Sequence, residues 1–478
     1  MSRWSGTSRP FPPGFRSIVE VTVIPRPSIP TVYRDVLSDR RFRRLIAGFG
    51  VSFLGDGMSF VAVAWLAVEL APPETAGWWV GTAVAAATLP GVVGALVFGR
   101  RLRRLPARRM LMMDSAVRGG FLLAVPAAWF TGVLSPPSYV ALLAISSLLH
   151  AWGGAGKYTL VAELLPTERR LAANTLVGSL EFAAIIIGPA VAGLLVSVLD
   201  TALVLGLDAL THLTLIVVTA RIRPPDGDRA RPSHDVGDGP SALRVLRTRP
   251  ALLGLLALTW CFNLLYGPVE VALPLHVTTE LHGSATLLGW YWTLFGAGAV
   301  VGGTAAGALR RVRLWPVMIL IVTAWGTVLV PFGLGAPTAV TLAGLAVGGV
   351  VYGPFGALTV TLIQSVAPRD QLATVLAARS AVLLTAAPVG TALGGPITTL
   401  LGPGTTLGVS GLATILLGVI AAAVALAHRR RSGRSATCDT DTEPDTGQDS
   451  MASGAAATRA SSRNRASTFS ADIGRANR

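Results

Sequence analysis

Residues 39–69 read DRRFRRLIAGFGVSFLGDGMSFVAVAWLAVE: arginines at 40, 41, 43 and 44, then an apolar run holding one acid, Asp56, before Glu69. A helix rises ~1.5 Å per residue, so the stretch from Arg43 to Glu69 is long enough to cross ~30 Å of hydrocarbon. Basic residues at one end of such a run mark the side of the membrane on which it is anchored. The stretch therefore predicts a transmembrane helix over 43–69.

The pattern continues outward along all 478 residues. Further helices are predicted at 78–99, 110–130, 138–157, 173–198 and 201–220, then at 251–279, 286–308, 315–333, 338–363, 373–400 and 405–427. Composition agrees: 51% of residues are hydrophobic and only 14% charged, too few charges to cover a soluble protein of this length. The formal charge of +15 does not point to nucleic acid, because the arginines lie in short runs between apolar blocks. Cys261 and Cys438 are the only cysteines, too few for a disulfide framework or a CxxC metal site. Residues 1–40 contain no uninterrupted apolar run of the kind a cleaved signal peptide needs.

Arginine placement sets the expected orientation. The turns after helices 1, 3, 5, 7, 9 and 11 contain no Lys or Arg. The turns after helices 2, 4, 6, 8 and 10 carry Arg100 to Arg109, Lys157 with Arg169 and Arg170, Arg221 to Arg249, Arg310 to Arg313, and Arg369. Arg34 to Arg44 and Arg429 to Arg434 fall on the same side. Basic turns stay in the cytoplasm, so both termini are expected there, in a bacterial inner membrane. Trp78, Trp79, Trp290 and Tyr291 then fall near the outer interface, as an aromatic belt.

The chain also repeats. Val92-Val93-Gly94 with Gly99 matches Val300-Val301-Gly302 with Gly307, and Gly188-Pro189 with Gly193 matches Ala387-Pro388 with Gly394. The turns LLPTERRLAAN from Leu164 and SVAPRDQLAT from Ser365 also correspond. The predicted fold is an all-α membrane protein, twelve transmembrane helices in two pseudo-symmetric six-helix bundles of the same orientation. Its parts are a disordered lead (1–40), one bundle (41–220), a polar linker (221–250), a second bundle (251–428) and a disordered tail (429–478).

Four stretches in order resemble the major facilitator superfamily, and most nearly its bacterial drug, macrolide and siderophore exporters. They are DRRFRRLIAGFGVSFLGDG from Asp39, GRRLRRLPARR from Gly99, IIIGPAVAG from Ile185 and GPVEVALPL from Gly267. The second is similar to the family's loop signature at Gly99, Arg104, Arg108 and Arg109, with Arg103 where the family has an acid and Pro106 where it has a glycine. The third is similar to the exporters' helix 5 signature at Gly188, Pro189 and Gly193. The resemblance implies alternating access: two halves rocking about a central site, with helices 1, 4, 5, 7, 10 and 11 bordering the cavity. It also implies that the loop-signature acid holds the inner side closed against helix 11. Here Asp370 precedes helix 11, so an exchanged pair of Arg103 or Arg104 with Asp370 is one expectation; an N-terminal cap by Asp370 is the other.

Charges inside a bilayer cost ~2.5–3.5 kcal/mol each on insertion scales, so each needs an account. Asp56 lies about 19 Å into helix 1 at ~1.5 Å per residue, either as a proton-coupling carboxylate or as a structural acid bonded to a neighbouring helix. Asn263 stands at the matching depth in helix 7 as a candidate cavity residue, and Glu270 nearer the exterior, as a second proton site, a ligand for a cationic substrate or a solvated vestibule acid. Glu181 and Arg379 occupy equivalent depths in helices 5 and 11; Glu181 is a further proton-coupling candidate, and the two either bind a charged substrate or pair together, or each finds a local partner. His150 and Tyr352 correspond by the repeat and are candidate substrate contacts, with plain packing the alternative. Asp114 and Arg118 are four apart and read as an intrahelical pair, Asp208 as structural. Helix 10, GGVVYGPFGAL from Gly348, is built to flex or to admit a close neighbour.

No phosphate-cradling Gly-rich Lys-Ser/Thr loop, HExxH or nucleophile elbow stands in a sensible context, so an enzyme is not expected, and no cofactor or metal. The expected function is export of an amphipathic small molecule in exchange for protons. The alternatives are an uptake symporter, a lipid-acting membrane enzyme, or a sensor using the acidic tail. The expected partners are the substrate, protons and the bilayer, without nucleic acid, the chain being a monomer.

Overall fold

The computed structural model describes residues 29–98, 105–222, 246, 249–305, 312–367 and 371–438. The site lies in the first of two units, whose boundary falls within the last helix between Ala423 and Val424. Among the described residues, twelve helices are long and apolar enough to span a membrane. They are α1 (Arg40–Leu70), α2 (Pro73–Ala95), α3 (Ala107–Phe130), α4 (Pro136–Leu164), α5 (Thr167–Val196) and α6 (Thr201–Ala220). After the linker come α7 (Pro250–Glu280), α8 (Ala285–Ala305), α9 (Leu314–Gly333), α10 (Thr338–Val366), α11 (Thr374–Leu401) and α12 (Pro403–Ala427). Large apolar side chains face outward along them, Leu194 60% and Leu400 82% exposed, as a surface wetted by lipid would have.

Asp39 caps α1, its Oδ1 accepting from the backbone N–H groups of Arg41 and Phe42 at 2.7 and 2.9 Å. The cap satisfies two of the orphan donors at the helix start. Arg108, from the loop signature, donates through Nε to the carbonyl of Thr219 at 3.0 Å and through Nη2 to that of Ala220. A guanidinium there satisfies carbonyls at the end of α6 and complements the negative end of its dipole. Gly99, Arg103, Arg104 and Asp370, and with them the exchanged-charge pair, lie outside the described residues. Arg109 is exposed at the start of α3.

Helix packing repeats in the two halves. In the first, α1 packs on α5, α3 on α6 and α2 on α4; in the second, α7 packs on α11 and α8 on α10. Gly326 of α9 lies against Gly411 of α12, completing the correspondence. The halves meet through α5 on α8 and α2 on α11, two contacts that the repeat exchanges for one another. Thr286 donates its hydroxyl to the carbonyl of Gly193 at 2.8 Å, and Thr293 to that of Ile186 at 3.1 Å. Gly77 and Gly81 of α2 meet α11 at Thr399 and Gly395. These crossings all lie in the half of the helices away from the basic turns.

Several expectations are corrected. The lead is not wholly irregular: Ile29–Ser38 is helical, with Val36 buried beside α1 and α5. The tail expected from residue 429 begins as helix, since the last helix continues to Cys438. Tyr291 does not belong to an interfacial belt. It is fully buried and shares a 2.6 Å hydrogen bond with Thr341 of α10, because a buried phenol needs a polar partner. Trp78 and Trp290 do stand exposed.

Candidate functional site

Three helices bordering the centre are broken near mid-span: α2 after Ala86, α4 after Ser147 and α10 after Tyr352. His150 opens the second segment of α4 and Tyr352 closes the first segment of α10, so both repeat-related candidates sit beside a break. Such breaks need water or protein to satisfy the freed carbonyls, and those of α2 and α4 border a cavity.

A cavity of about 180 Å³ lies among α1, α2, α3, α4, α6 and α7. Phe60, Leu122 and Leu143 form part of its apolar wall, and Asp56, Arg118, Asp208 and Glu270 bring charge to it. Toward the basic end lies a second space of about 60 Å³ lined by Asp56, Asp114, Arg118, His150, Lys157, Glu181 and His212 among others. Asp56 and Arg118 line both spaces. Their side chains stand between them.

Arg118 Nη1 is 2.6 Å from Asp56 Oδ1. The predicted intrahelical pair with Asp114 is not formed; the guanidinium crosses from α3 to α1. Asp114 is 7% exposed, and its Oδ1 has no hydrogen-bond partner. From α6, Asp208 is 1% exposed and accepts from the hydroxyls of Ser59 at 2.5 Å and Thr211 at 3.1 Å. His212, one turn on, faces Ser52 with Nδ1 at 3.5 Å. Its Nε2 lies 3.6 Å from both Asp56 Oδ1 and Asp208 Oδ1, and it is unpartnered. Asp208, expected as a structural acid, is held by the hydroxyls of Ser59 and Thr211 and also shares the central charge cluster. Side-chain oxygen and nitrogen atoms of Asp56, Asp208 and His212 lie within 4.8 Å of one another. Among them, Arg118 supplies a positive charge to the Asp56 carboxylate.

Glu181 meets Lys157 of α4 at 3.2 Å, and Lys157 Nζ also sits over the ring of Phe53 at 4.6 Å. Among the described residues Glu181 makes no ion pair with Arg379, whose buried Nε has no partner. Asn263 is turned into its own helix, donating Nδ2 to the carbonyl of Thr259 at 2.8 Å, and so leaves the cavity. Glu270 does the reverse. Rather than opening on an outer vestibule, it lines the central cavity and accepts from Thr391 of α11 at 3.3 Å.

Sequence reasoning missed a packed aromatic cluster. Tyr352 lies 5.8 Å, ring to ring, from Phe262, Tyr266 and Trp325, and 5.6 Å from Phe295. The rings come from α7, α8, α9 and α10, four stretches too far apart for any periodicity to link. The Asp208/His212 spacing, i and i+4 on α6, was the one signal that marked a shared helix face.

The family model for the Major Facilitator Superfamily matches residues 45–270 and 259–444. A multidrug efflux pump, Tap of Mycobacterium tuberculosis, is 27% identical over 77% of this chain and 89% of its own. The enterobactin exporter EntS of Citrobacter koseri is 25% identical over 79% of this chain and 90% of its own. The crystal structure of a bacterial homolog of the human lysosomal transporter Spinster, in an inward-facing and unoccupied conformation, superposes with a TM-score of 0.60 at 12% identity. That match covers 82% of this chain and 96% of that one.

Proposed function

The chain belongs to the Major Facilitator Superfamily, and from that premise we propose that it is a proton-coupled exporter of amphipathic small molecules. It is a multi-pass transporter and not an enzyme. The observation that carries the finer reading is the Asp56–Arg118 pair between the two central spaces. A carboxylate held by one guanidinium at mid-membrane is costly to bury and easily re-poised by a proton, which is what coupling requires. Glu270 on the opposite half gives the same cavity a second acid for a cationic or hydrogen-bonding substrate. Phe60, Leu122 and Leu143 on the wall of that cavity suit the apolar body of such a molecule. The multidrug pump among the relatives supports this substrate class.

With the basic turns in the cytoplasm of a bacterial inner membrane, the glycine-rich crossings of α2 on α11 and α5 on α8 lie on the outer side. The conformation is then inward-facing, and export proceeds as the halves rock about these crossings. The test is Asp56→Asn reconstituted in liposomes. The amide keeps size and removes charge, so the variant inserts and exchanges substrate but does not accumulate it along a pH gradient. Gradient-driven accumulation at the wild-type rate would overturn the assignment of Asp56.

A further inference from the structure

Two buried polar atoms flank the Asp56–Arg118 pair without partners of their own. One is Asp114 Oδ1, a turn before Arg118 on α3; the other is His212 Nε2, 3.6 Å from Asp56 Oδ1 on α6. Buried unpaired atoms are uncommon in folded proteins and destabilising. Two of them, on either side of one ion pair, ask for a common cause. The groups facing Asp56 are Asp114 and Arg118 from α3, His150 and Lys157 from α4, Glu181 from α5, Asp208 and His212 from α6, and Glu270 from α7. Lys157 is engaged by Glu181, and Asp208 by two hydroxyls, which leaves Arg118 as the cation between Asp56 and Asp114.

We propose that Arg118 is a two-position latch, seated on Asp56 when that carboxylate is ionised and on Asp114 when Asp56 carries a proton. The inference rests on the reading of Asp56 as the coupling carboxylate. Asp114 and Arg118 are i and i+4 on one helix, so the second seat needs only a side-chain rotation. The proton closes the other gap at the same time. In the tautomer that carries its proton on Nδ1, His212 donates to Ser52, Nε2 is an acceptor, and the new hydroxyl of Asp56 is the donor it lacks. One proton thus satisfies both orphan atoms: the guanidinium moves to Asp114 Oδ1, and the Asp56 O–H donates to Nε2 of His212. In moving, Arg118 releases α1 from α3 between the two cavities, which ties proton uptake to the shape of the substrate path.

The experiment is a cryo-electron microscopy structure of Asp56→Asn in lipid nanodiscs, the amide standing for the protonated acid. The expected result is the Arg118 guanidinium within hydrogen-bonding distance of Asp114 Oδ1, and the nitrogen of the introduced amide facing His212 Nε2. A guanidinium still seated on the oxygen of the introduced amide overturns the latch. Should the variant fail to insert, wild-type structures at low and high pH give the same comparison, and an Arg118 that keeps one seat at both overturns it as well. Transport separates the two levels. If Asp56→Asn still accumulates substrate along a proton gradient, the coupling role of Asp56 falls and the latch with it; if it is uncoupled while Arg118 stays in place, the latch alone is wrong.

Discussion

Gly188 of α5 packs its Cα directly against the backbone of Gly57, the residue that follows Asp56 on α1. A Cβ at Gly188 would run into the backbone of Gly57, and one at Gly57 into the carbonyl of Ala184. The helix 5 signature glycine therefore sets how near α5 approaches the segment that carries Asp56. The repeat preserves the device, with Gly390 of α11 against Leu264 and Gly267 of α7. Small residues at crossings let helices approach where no hydrophobic force drives them together.

Gly188→Val should separate α1 from α5, at a cost of ~1–3 kcal/mol for overpacking. A lowered melting temperature and lost transport are expected. Gly178, also on α5, has open space where its Cβ would be, so Gly178→Ala should leave both unchanged. Equal behaviour of the two variants in a thermal-shift assay would refute the packing account.

How much of this was legible beforehand depends on the range of the interaction. A span needs about 20 apolar residues in a row, a local property, and all twelve helices could be read. The sequence pattern stops the fourth at 157 where it runs to Leu164, and starts the fifth at 173 where it begins at Thr167. The repeat was legible because Gly188-Pro189 and Ala387-Pro388 keep their spacing. The partner of Arg118 was not, because the i, i+4 spacing to Asp114 offered a plausible local answer while Asp56 is 62 positions away. Asn263 misled for the opposite reason: depth in a helix does not say which way a side chain turns, and its amide bonds back to Thr259.

Tyr352, a candidate substrate contact at the break of α10, carries a substrate prediction. Tyr352→Ala removes one ring from contact with Phe262, Tyr266, Phe295 and Trp325. An aromatic pair is worth ~0.5–1.5 kcal/mol beyond its area, so KM for planar aromatic substrates should rise about 2- to 10-fold. Aliphatic substrates should be affected less. The measurement is a panel of efflux kinetics in everted vesicles, and an equal rise across the panel would argue against stacking.

Orientation has its own test. With Cys261 and Cys438 replaced, single cysteines at Glu74, Pro136 and Thr338 should react with an impermeant thiol reagent added to intact cells. Cysteines at Ala107 and Asp228 should stay unlabelled until the membrane is opened. The arginine alternation motivates this. Labelling of Asp228 from outside would reverse both the topology and the inward-facing assignment.

Removing one member of the central pair should cost more than removing both. Arg118→Ala leaves Asp56, Asp114 and Asp208 together around a neutral side chain, with His212 between two of them. Breaking a buried pair on one side costs ~3–5 kcal/mol, because the remaining charge keeps its desolvation penalty without compensation. Asp56→Asn combined with Arg118→Gln deletes both charges and preserves shape, so it should restore most of the lost thermal stability. Transport should not return with it, since the double variant has no carboxylate at position 56 to exchange a proton. Thermal unfolding in detergent gives the first comparison and pH-jump uptake in liposomes the second. A double variant no more stable than Arg118→Ala would mean that the arginine acts through packing of its alkyl stem, and the pair would lose its place at the centre of the mechanism.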